Sequence, residues 1–263
     1  MKRTARRTSK RKIRRKSNKA VSILTGFTIV LAVCVLGLAG YKLYTIWSSY
    51  KAADDVYADI EKSVFTGEAD FSDNGFYWNF DKLLELCSDA VGYIYQKGVM
   101  SYPIVQAEDN DKYLRTMMNG EYNVAGTIFV DARFPEGMEG KYSIVYGHNM
   151  YNEGMFGTLP RYEKEEYYKE HPYFDIYIGY KHYRYYVFSA FVTDVDGYVY
   201  TYEFGDGDYK AQFDRLRAEC AYETDVRELT NDDHVIILST CVDWHDYSYR
   251  NVVCLVRGEE VTD

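Results

Sequence analysis

The residue best placed for chemistry is a cysteine at the end of an apolar run. Ile236–Leu238 lead through two hydroxyl residues to Cys241, and the polar segment Val242–Tyr249 follows. This pattern predicts a β-strand whose last residue presents a thiol to a loop. A buried, unreactive thiol is the commoner fate of a cysteine, and Cys254 fits it because it lies among valines in the next run. Cys241 is therefore the candidate nucleophile.

An arginine lies nine residues after Cys241, at the start of the next apolar run. If the two runs pair as a hairpin, the thiol and the Arg250 guanidinium come to the same end of the sheet. Nearby positive charge favours a thiolate, and guanidinium donors stabilise a developing oxyanion. A solvated arginine at a strand start is the alternative, and the spacing alone does not choose between the two roles.

A cysteine nucleophile needs a proton partner, and two histidines are candidates. His148 follows the apolar run Tyr142–Tyr146, whereas His245 lies only four residues after Cys241. Their positions along the chain leave both open.

Eight short apolar or aromatic runs predict the framework that positions these groups. They alternate with turn residues, which indicates an all-β sandwich or barrel. Two helical insertions are predicted, Met155–Glu170 and Asp208–Tyr222, the second capped by Asp206 or Asp208. The eight runs are Val91–Tyr95, Tyr102–Val105, Gly126–Val130, Tyr142–Tyr146, Tyr173–Gly179, Tyr183–Thr193, Val235–Thr240 and Asn251–Arg257.

The N-terminal region carries a separate signal. Residues 1–19 hold eleven of the 31 basic residues and no acidic one, which leaves 20 basic against 40 acidic side chains in the rest. A basic tail alone is compatible with nucleic-acid binding. However, residues 20–41 carry no charge and are long enough to span a bilayer as a helix. The positive flank lies on the N-terminal side, so we expect a cytoplasmic tail, an exported domain and no nucleic acid partner.

The domain boundaries follow from these signals. We assign 1–19 to a basic cytoplasmic tail, 20–41 to a single transmembrane anchor, 42–90 to a helical and linker region, and 91–263 to the folded domain. A cleaved signal peptide is the alternative to an anchor, but the apolar stretch exceeds the roughly 7–15 residues of such a peptide. Within the linker region, Asp54–Lys62 and Phe80–Ala90 have helical spacing.

The cysteines and histidines show no metal-binding pattern. The five cysteines include no C-x-x-C pair and do not cluster with the five histidines, so we predict neither a metal site nor a disulfide framework. We expect no cofactor.

The motifs around the candidate residues resemble those of sortases. Tyr146-Gly147-His148-Asn149-Met150 with Phe156-Gly157, then Leu238-Ser239-Thr240-Cys241, then Arg250 stand in the family's order. Further stretches are similar to class B sortases, and the resemblance covers about residues 80–257. These stretches are Tyr102–Gln106, Asp109–Asp111 with Tyr113-Leu114, Asn119–Glu121 and Ala125–Phe129.

The resemblance implies an eight-stranded β-barrel with N-terminal helices and a long helix, here Asp208–Tyr222, between the sixth and seventh strands. It implies that Cys241 is the nucleophile, His148 the acid and base, and Arg250 the oxyanion stabiliser. The first strand departs from the class, since Tyr93 and Tyr95 stand where Trp and Leu are frequent. The residues expected next to the substrate are Asn149, Ser239, Thr240 and His245.

The function implied by the resemblance is transpeptidation. Such an enzyme cleaves a C-terminal sorting signal after Thr in an exported protein and joins the resulting thioacyl group to a peptidoglycan amine. Class B relatives favour Asn-Pro-x-Thr signals. The alternatives are a pilin-polymerising sortase, a cysteine peptidase that uses water, and a non-catalytic surface binding module. Papain-like peptidases fit poorly because His148 precedes Cys241 by 93 residues.

Overall fold

A computed structural model of the chain describes residues 19–66, 77–242 and 248–261. The chain divides into two compact units, Met1–Trp47 and Ser48–Asp263. Helix α1 (Lys19–Val64) begins in the first unit and ends in the second. The predicted basic tail, apart from Lys19, lies outside the described residues.

The N-terminal part of α1 is apolar and exposed. Its most apolar window has a mean hydropathy of 2.4. Among the described residues, α1 is the one helix that is long and apolar enough to cross a membrane. Membrane anchors and signal sequences both have these properties. In the second unit the same helix is amphipathic, because Ala53, Tyr57, Ile60 and Val64 recur at helical spacing and are buried in the core.

Eight strands form a closed barrel, which confirms the predicted eight-stranded architecture. A separate two-stranded sheet is formed by β1 (Phe65–Thr66) and β2 (Tyr77–Trp78). Around the barrel the order is β10-β8-β7-β3-β4-β5-β6-β9. The barrel strands are β3 (Ala90–Gln96), β4 (Met100–Val105), β5 (Ile128–Val130), β6 (Tyr142–Tyr146), β7 (Tyr173–Ile178), β8 (Lys181–Asp194), β9 (Val235–Cys241) and β10 (Tyr249–Glu260).

Two of the pairings bring the candidate residues to one end of the barrel. Strand β6 runs parallel to β9, with Tyr146 opposite Ser239. Strand β10 runs antiparallel to β9, with Arg250 directly opposite Cys241. Because β9 lies between the other two strands, the ends of all three that carry candidate residues are adjacent.

Helix α2 (Phe80–Leu86) is shorter than the predicted Phe80–Ala90. It begins after Asn79, whose Oδ1 accepts a hydrogen bond from the Lys82 amide at 2.9 Å. It ends because Cys87 has an extended backbone and strand β3 begins three residues later.

Helix α4 (Tyr209–Ala218) lies between the sixth and seventh barrel strands, β8 and β9, as predicted. Asp208 caps it by accepting a hydrogen bond from the Ala211 amide at 3.2 Å. It buries Phe213 and Leu216. The helix has ten residues and ends before Tyr222, so the predicted C-terminal boundary was wrong.

The predicted helix Met155–Glu170 was also wrong in part. Only α3 (Glu165–Glu170) is α-helical, and the 3₁₀ helix Leu159–Glu163 precedes it. Met155 has a φ of 53°, which no right-handed helix accommodates. Lys164 is extended and separates the two helical turns. The remaining 3₁₀ turns are Gly137–Glu139, Tyr198–Tyr200 and Gly205–Gly207.

Candidate active site

The three residues predicted for catalysis line one cleft. The cleft has a volume of about 550 Å³, and its walls include the side chains of Cys241, His148 and Arg250. All three are half-buried, so each is accessible from solvent yet packed against the barrel.

The Cys241–Arg250 pair is built by the β9–β10 hairpin. Cys241 is the last residue of β9, and Arg250 is the second of β10 and its direct cross-strand partner. Side chains directly opposite in a sheet lie on the same face, so both project into the cleft. The Arg250 Nη1 donates to the Tyr249 carbonyl at 3.0 Å. The predicted substrate contact His245 lies outside the described residues.

Strand β6 positions His148 in the same cleft. The parallel pairing of Tyr146 with Ser239 is extended by a hydrogen bond from the Gly147 amide to the Ser239 carbonyl at 3.2 Å. His148 therefore leaves the sheet beside the end of β9. Gly147 is required here because a Cβ would lie 2.7 Å from the Phe156 ring. The Phe156 amide donates to the His148 carbonyl at 3.0 Å and holds the backbone.

The imidazole of His148 is oriented by a backbone carbonyl. Its Nε2 lies 2.6 Å from the Leu114 oxygen. A carbonyl only accepts hydrogen bonds, so the neutral ring carries its proton on Nε2 and keeps Nδ1 as an acceptor. Burial lowers the pKa of His148 below its ordinary value; the Leu114 carbonyl opposes that shift and the Arg115 charge adds to it.

The Asn149 side chain binds the backbone at the end of β9. Its Nδ2 donates to the Cys241 carbonyl at 2.9 Å and to the Val242 carbonyl at 3.3 Å. The side chain is thus committed to the backbone around the thiol, and Asn149 is not among the residues that line the cleft.

Ser239 and Thr240 both line the cleft and are buried. The Ser239 hydroxyl lies 2.9 Å from the Tyr200 hydroxyl. The Thr240 Oγ1 has no hydrogen-bond partner within the described part of the chain. Buried polar atoms usually have one.

A buried carboxylate that binds three residues of the cleft wall was missed by the sequence reasoning. Asp131 is fully buried directly after β5 and accepts hydrogen bonds from Asn110, Arg133 and Tyr146 at 2.5–3.2 Å. Burial alone raises the pKa of Asp131, but these hydrogen bonds outweigh it and hold the pKa below its ordinary value. The available signal was an acidic residue immediately after an apolar strand.

The connection between β8 and β9 covers one side of the cleft. Tyr200 and Tyr202 both lie in this connection and line the cleft. The Arg133 guanidinium lies 3.7 Å from the centre of the Tyr202 ring, while its donors bind Asp131. This cation–π contact ties the connection to the barrel.

The groups assembled in the cleft are those of acyl transfer. A thiol can serve as a nucleophile, an imidazole as a proton carrier, and a guanidinium as a hydrogen-bond donor to an oxyanion. Over residues 19–66, 77–242 and 248–261, no three or more His, Cys, Asp or Glu side chains are grouped so as to hold a metal ion.

The amino-acid sequence is similar to that of known sortases. Residues 96–257 match the family model of the sortase domain. The chain is 32% identical over 182 residues to sortase B of Listeria monocytogenes, which covers 68% of this chain and 73% of that protein.

The fold is similar to that of solved sortase B structures. Sortase B of Bacillus anthracis has a TM-score of 0.68 at 29% identity, covering 81% of this chain and 100% of the other. A Staphylococcus aureus sortase B–substrate complex has a TM-score of 0.63 at 28% identity, covering 70% of this chain and 85% of the other.

Proposed function

The chain belongs to the sortase family, in class B, and is a cysteine transpeptidase that anchors proteins; we propose that Cys241, His148 and Arg250 carry its reaction. Its substrate in this proposal is an exported protein with a C-terminal sorting signal of the Asn-Pro-x-Thr type. The acceptor is an amine of a peptidoglycan precursor. The observation that supports these roles is the convergence of the three side chains on one cleft.

In the first half-reaction the Cys241 thiolate attacks the carbonyl carbon of the Thr residue. The resulting oxyanion accepts hydrogen bonds from the Arg250 guanidinium. The tetrahedral intermediate collapses as the C–N bond breaks, and protonated His148 donates a proton to the departing amine. Because the Leu114 carbonyl holds Nε2, Nδ1 is the nitrogen that transfers this proton.

In the second half-reaction the acceptor amine attacks the thioester carbonyl. His148, now neutral, accepts the proton that the amine loses, and collapse of the second tetrahedral intermediate regenerates the Cys241 thiolate and the imidazolium. A thioester suits this exchange because it remains reactive toward amines.

The N-terminal helix gives this reaction its location. In our proposal residues 20–41 cross the membrane once, with the basic residues 1–19 in the cytoplasm and the barrel outside the cell. Tyr41 is the last residue of the apolar stretch, Tyr44 and Trp47 follow it, and all three are exposed. Such aromatic residues are enriched at the membrane–water interface. An enzyme tethered in this orientation meets exported proteins and wall precursors at the outer surface of the cytoplasmic membrane.

The proposed reaction is tested by ligation. The full-length chain in detergent micelles is incubated with a fluorogenic Asn-Pro-x-Thr peptide, with and without triglycine. We expect a peptide product joined to triglycine after the Thr, together with a thioacyl-enzyme detectable by intact mass. A Leu-Pro-x-Thr peptide serves as the specificity control, and a pilin Lys peptide in place of triglycine tests polymerisation. Hydrolysis that added amine does not divert would identify a peptidase.

The pH dependence follows from the lowered pKa of His148. In general, a histidine with a pKa near 6.5 paired with a cysteine with a pKa near 8.5 exists as the thiolate–imidazolium pair in about 1% of molecules between those two pH values. A lower pKa of the histidine reduces the fraction of imidazolium and extends the plateau of kcat/KM to lower pH. We expect kcat/KM to be bell-shaped, with its acid limb below pH ~6.5. A kcat/KM that does not change from pH 5 to 9 is inconsistent with a reaction that requires both a protonated histidine and a thiolate.

A further inference from the structure

The carbonyl that orients His148 belongs to an irregular segment, not to a strand. Leu114 lies in the connection between β4 and β5, and its side chain is exposed at 38%. The side chain therefore does not anchor the carbonyl. The Leu114 oxygen lies 2.6 Å from the His148 Nε2, so neighbouring residues must hold it in this position.

The neighbouring residue Tyr113 provides this anchor. It is buried, and its carbonyl accepts a hydrogen bond from the Thr127 amide at 3.0 Å. On the other side Gly126 packs against the same backbone. A Cβ at Gly126 would lie 2.6 Å from the Leu114 oxygen and closer still to the Tyr113 oxygen, and its φ is +57°. The carbonyl groups at 113 and 114 are thus confined on two sides.

The Tyr113 hydroxyl connects this segment to the barrel. It donates to the Asp89 Oδ2 at 2.9 Å and lies 3.3 Å from the Cys87 Sγ. Asp89 directly precedes β3, and its carbonyl accepts from the Gln106 amide just after β4 at 2.8 Å. Lys112 Nζ also donates to Asp89 Oδ2, at 2.5 Å. The hydroxyl thereby joins the segment to the residue before β3, which is itself bonded to the residue after β4.

We propose that Tyr113, held by Asp89, is a positioning residue that sets the Leu114 carbonyl against His148. This proposal rests on the proposed function of His148. Tyr113 is absent from the residues that line the cleft, so it acts through the carbonyl and not on the substrate. Loss of its hydroxyl is expected to loosen the contact that favours the imidazolium.

The charges around His148 make the effect readable in a pH profile. Arg115 acts on it from the same segment, Cys241 and Arg250 face it from β9 and β10, and Asp111 and Asp196 line the cleft. Asp89 stays ionised through the neutral range, because the hydrogen bond from Lys112 lowers its pKa. A shift of the acid limb thus reports on His148 rather than on Asp89.

The test is Tyr113→Phe in the full-length chain in detergent, which keeps the ring and removes one hydroxyl. We expect the kcat/KM plateau to fall about five-fold, the size expected for one hydrogen bond, with KM unchanged. The active form needs both imidazolium and thiolate, so a lower histidine pKa depresses the plateau and moves the acid limb by the same logarithmic amount. Below that limb the histidine is protonated in both proteins, and the two curves should converge.

The matched control removes the same kind of bond elsewhere. Tyr180 donates to the Asp81 Oδ1 at 2.6 Å, on the β7–β8 turn and outside the cleft. Tyr180→Phe should leave the profile unchanged. Asp89→Asn keeps an acceptor for the Tyr113 hydroxyl and should retain most of the plateau, whereas Asp89→Ala should reproduce Tyr113→Phe.

The outcomes separate this proposal from the proposed function. Failure of the wild-type enzyme to ligate peptide to triglycine would overturn the proposed function itself. An active wild type with a Tyr113→Phe profile that matches it, or that is depressed equally at every pH, overturns only the positioning role. Thermal melting shows whether each variant is folded. If Tyr113→Phe does not fold, the contrast between Asp89→Asn and Asp89→Ala decides on the same two criteria.

Discussion

Replacement of Cys241 by alanine is expected to abolish both the thioacyl-enzyme and the ligated product, with kcat/KM reduced by at least about 10⁴-fold. The thiol forms the only covalent bond between the enzyme and the acyl group in the proposed reaction, and the alanine side chain has no nucleophilic atom to replace it. Cys241 is half-buried at a strand end, so the free energy of unfolding should change by less than about 1 kcal/mol. Intact-mass spectrometry and the ligation assay measure the two losses directly.

Cys220→Ala is the matched control, because Cys220 is also half-buried and lies outside the cleft. It should keep full activity. The Cys241→Ala variant should still bind the sorting peptide, measured by fluorescence anisotropy, because only the bond-forming atom is lost. Retained ligation by this variant would show that a group other than the Cys241 thiol performs the chemistry.

The parts of the fold that could be predicted from the sequence are those fixed by local pattern. Each of the eight predicted runs overlaps a barrel strand, and only Gly126–Val130 and Tyr173–Gly179 extend beyond theirs. Apolar and aromatic residues between turn signals suit a pleated sheet. The cross-strand pairing of Cys241 with Arg250 follows from a short hairpin, whose geometry is set within nine residues. The Asp208 cap likewise depends on residues within one helical turn.

The remaining features depend on contacts between distant parts of the chain. Strands β6 and β9 are parallel and separated by a long connection, so no local signal sets the register that places His148 beside Cys241. That placement came from the resemblance to sortases. The partner of His148 is a backbone carbonyl 34 residues earlier in the chain, and every residue type has such a carbonyl, so the contact leaves no trace in the residue pattern.

The predicted helix Met155–Glu170 failed for a related reason. Helical spacing is a pattern of side chains, whereas the backbone of this segment is set by tertiary contacts. A Cβ at Gly157 would lie 2.5 Å from the Met150 carbonyl oxygen, so the chain folds back on itself there. An isolated bridge between Asn149 and Met155 closes the same loop. This fold-back holds the backbone next to His148, and that requirement prevails over helix propensity.

The second large effect is expected at Arg250, where charge and geometry can be separated. Arg250→Ala removes both and should lower kcat by about 10³-fold, with kcat/KM reduced equally, because the oxyanion exists only near the transition state. Arg250→Lys keeps the positive charge but lacks the planar fork of donors. We expect a loss of about 10²-fold for lysine, with KM for the sorting peptide close to wild type in both variants.

The two contributions of Arg250 are distinguished by alkylation. The rate at which iodoacetamide modifies Cys241 at pH 7, followed by peptide mass mapping, reports the thiolate fraction. If the charge of Arg250 favours the thiolate, lysine should preserve this rate while alanine lowers it, although both variants are poor in turnover. Arg184→Lys is the control, since Arg184 pairs with Asp175 on β7 and β8 outside the cleft. A kcat for Arg250→Ala within about three-fold of wild type would contradict the proposed role, because the guanidinium would then contribute no more than one ordinary hydrogen bond to the oxyanion.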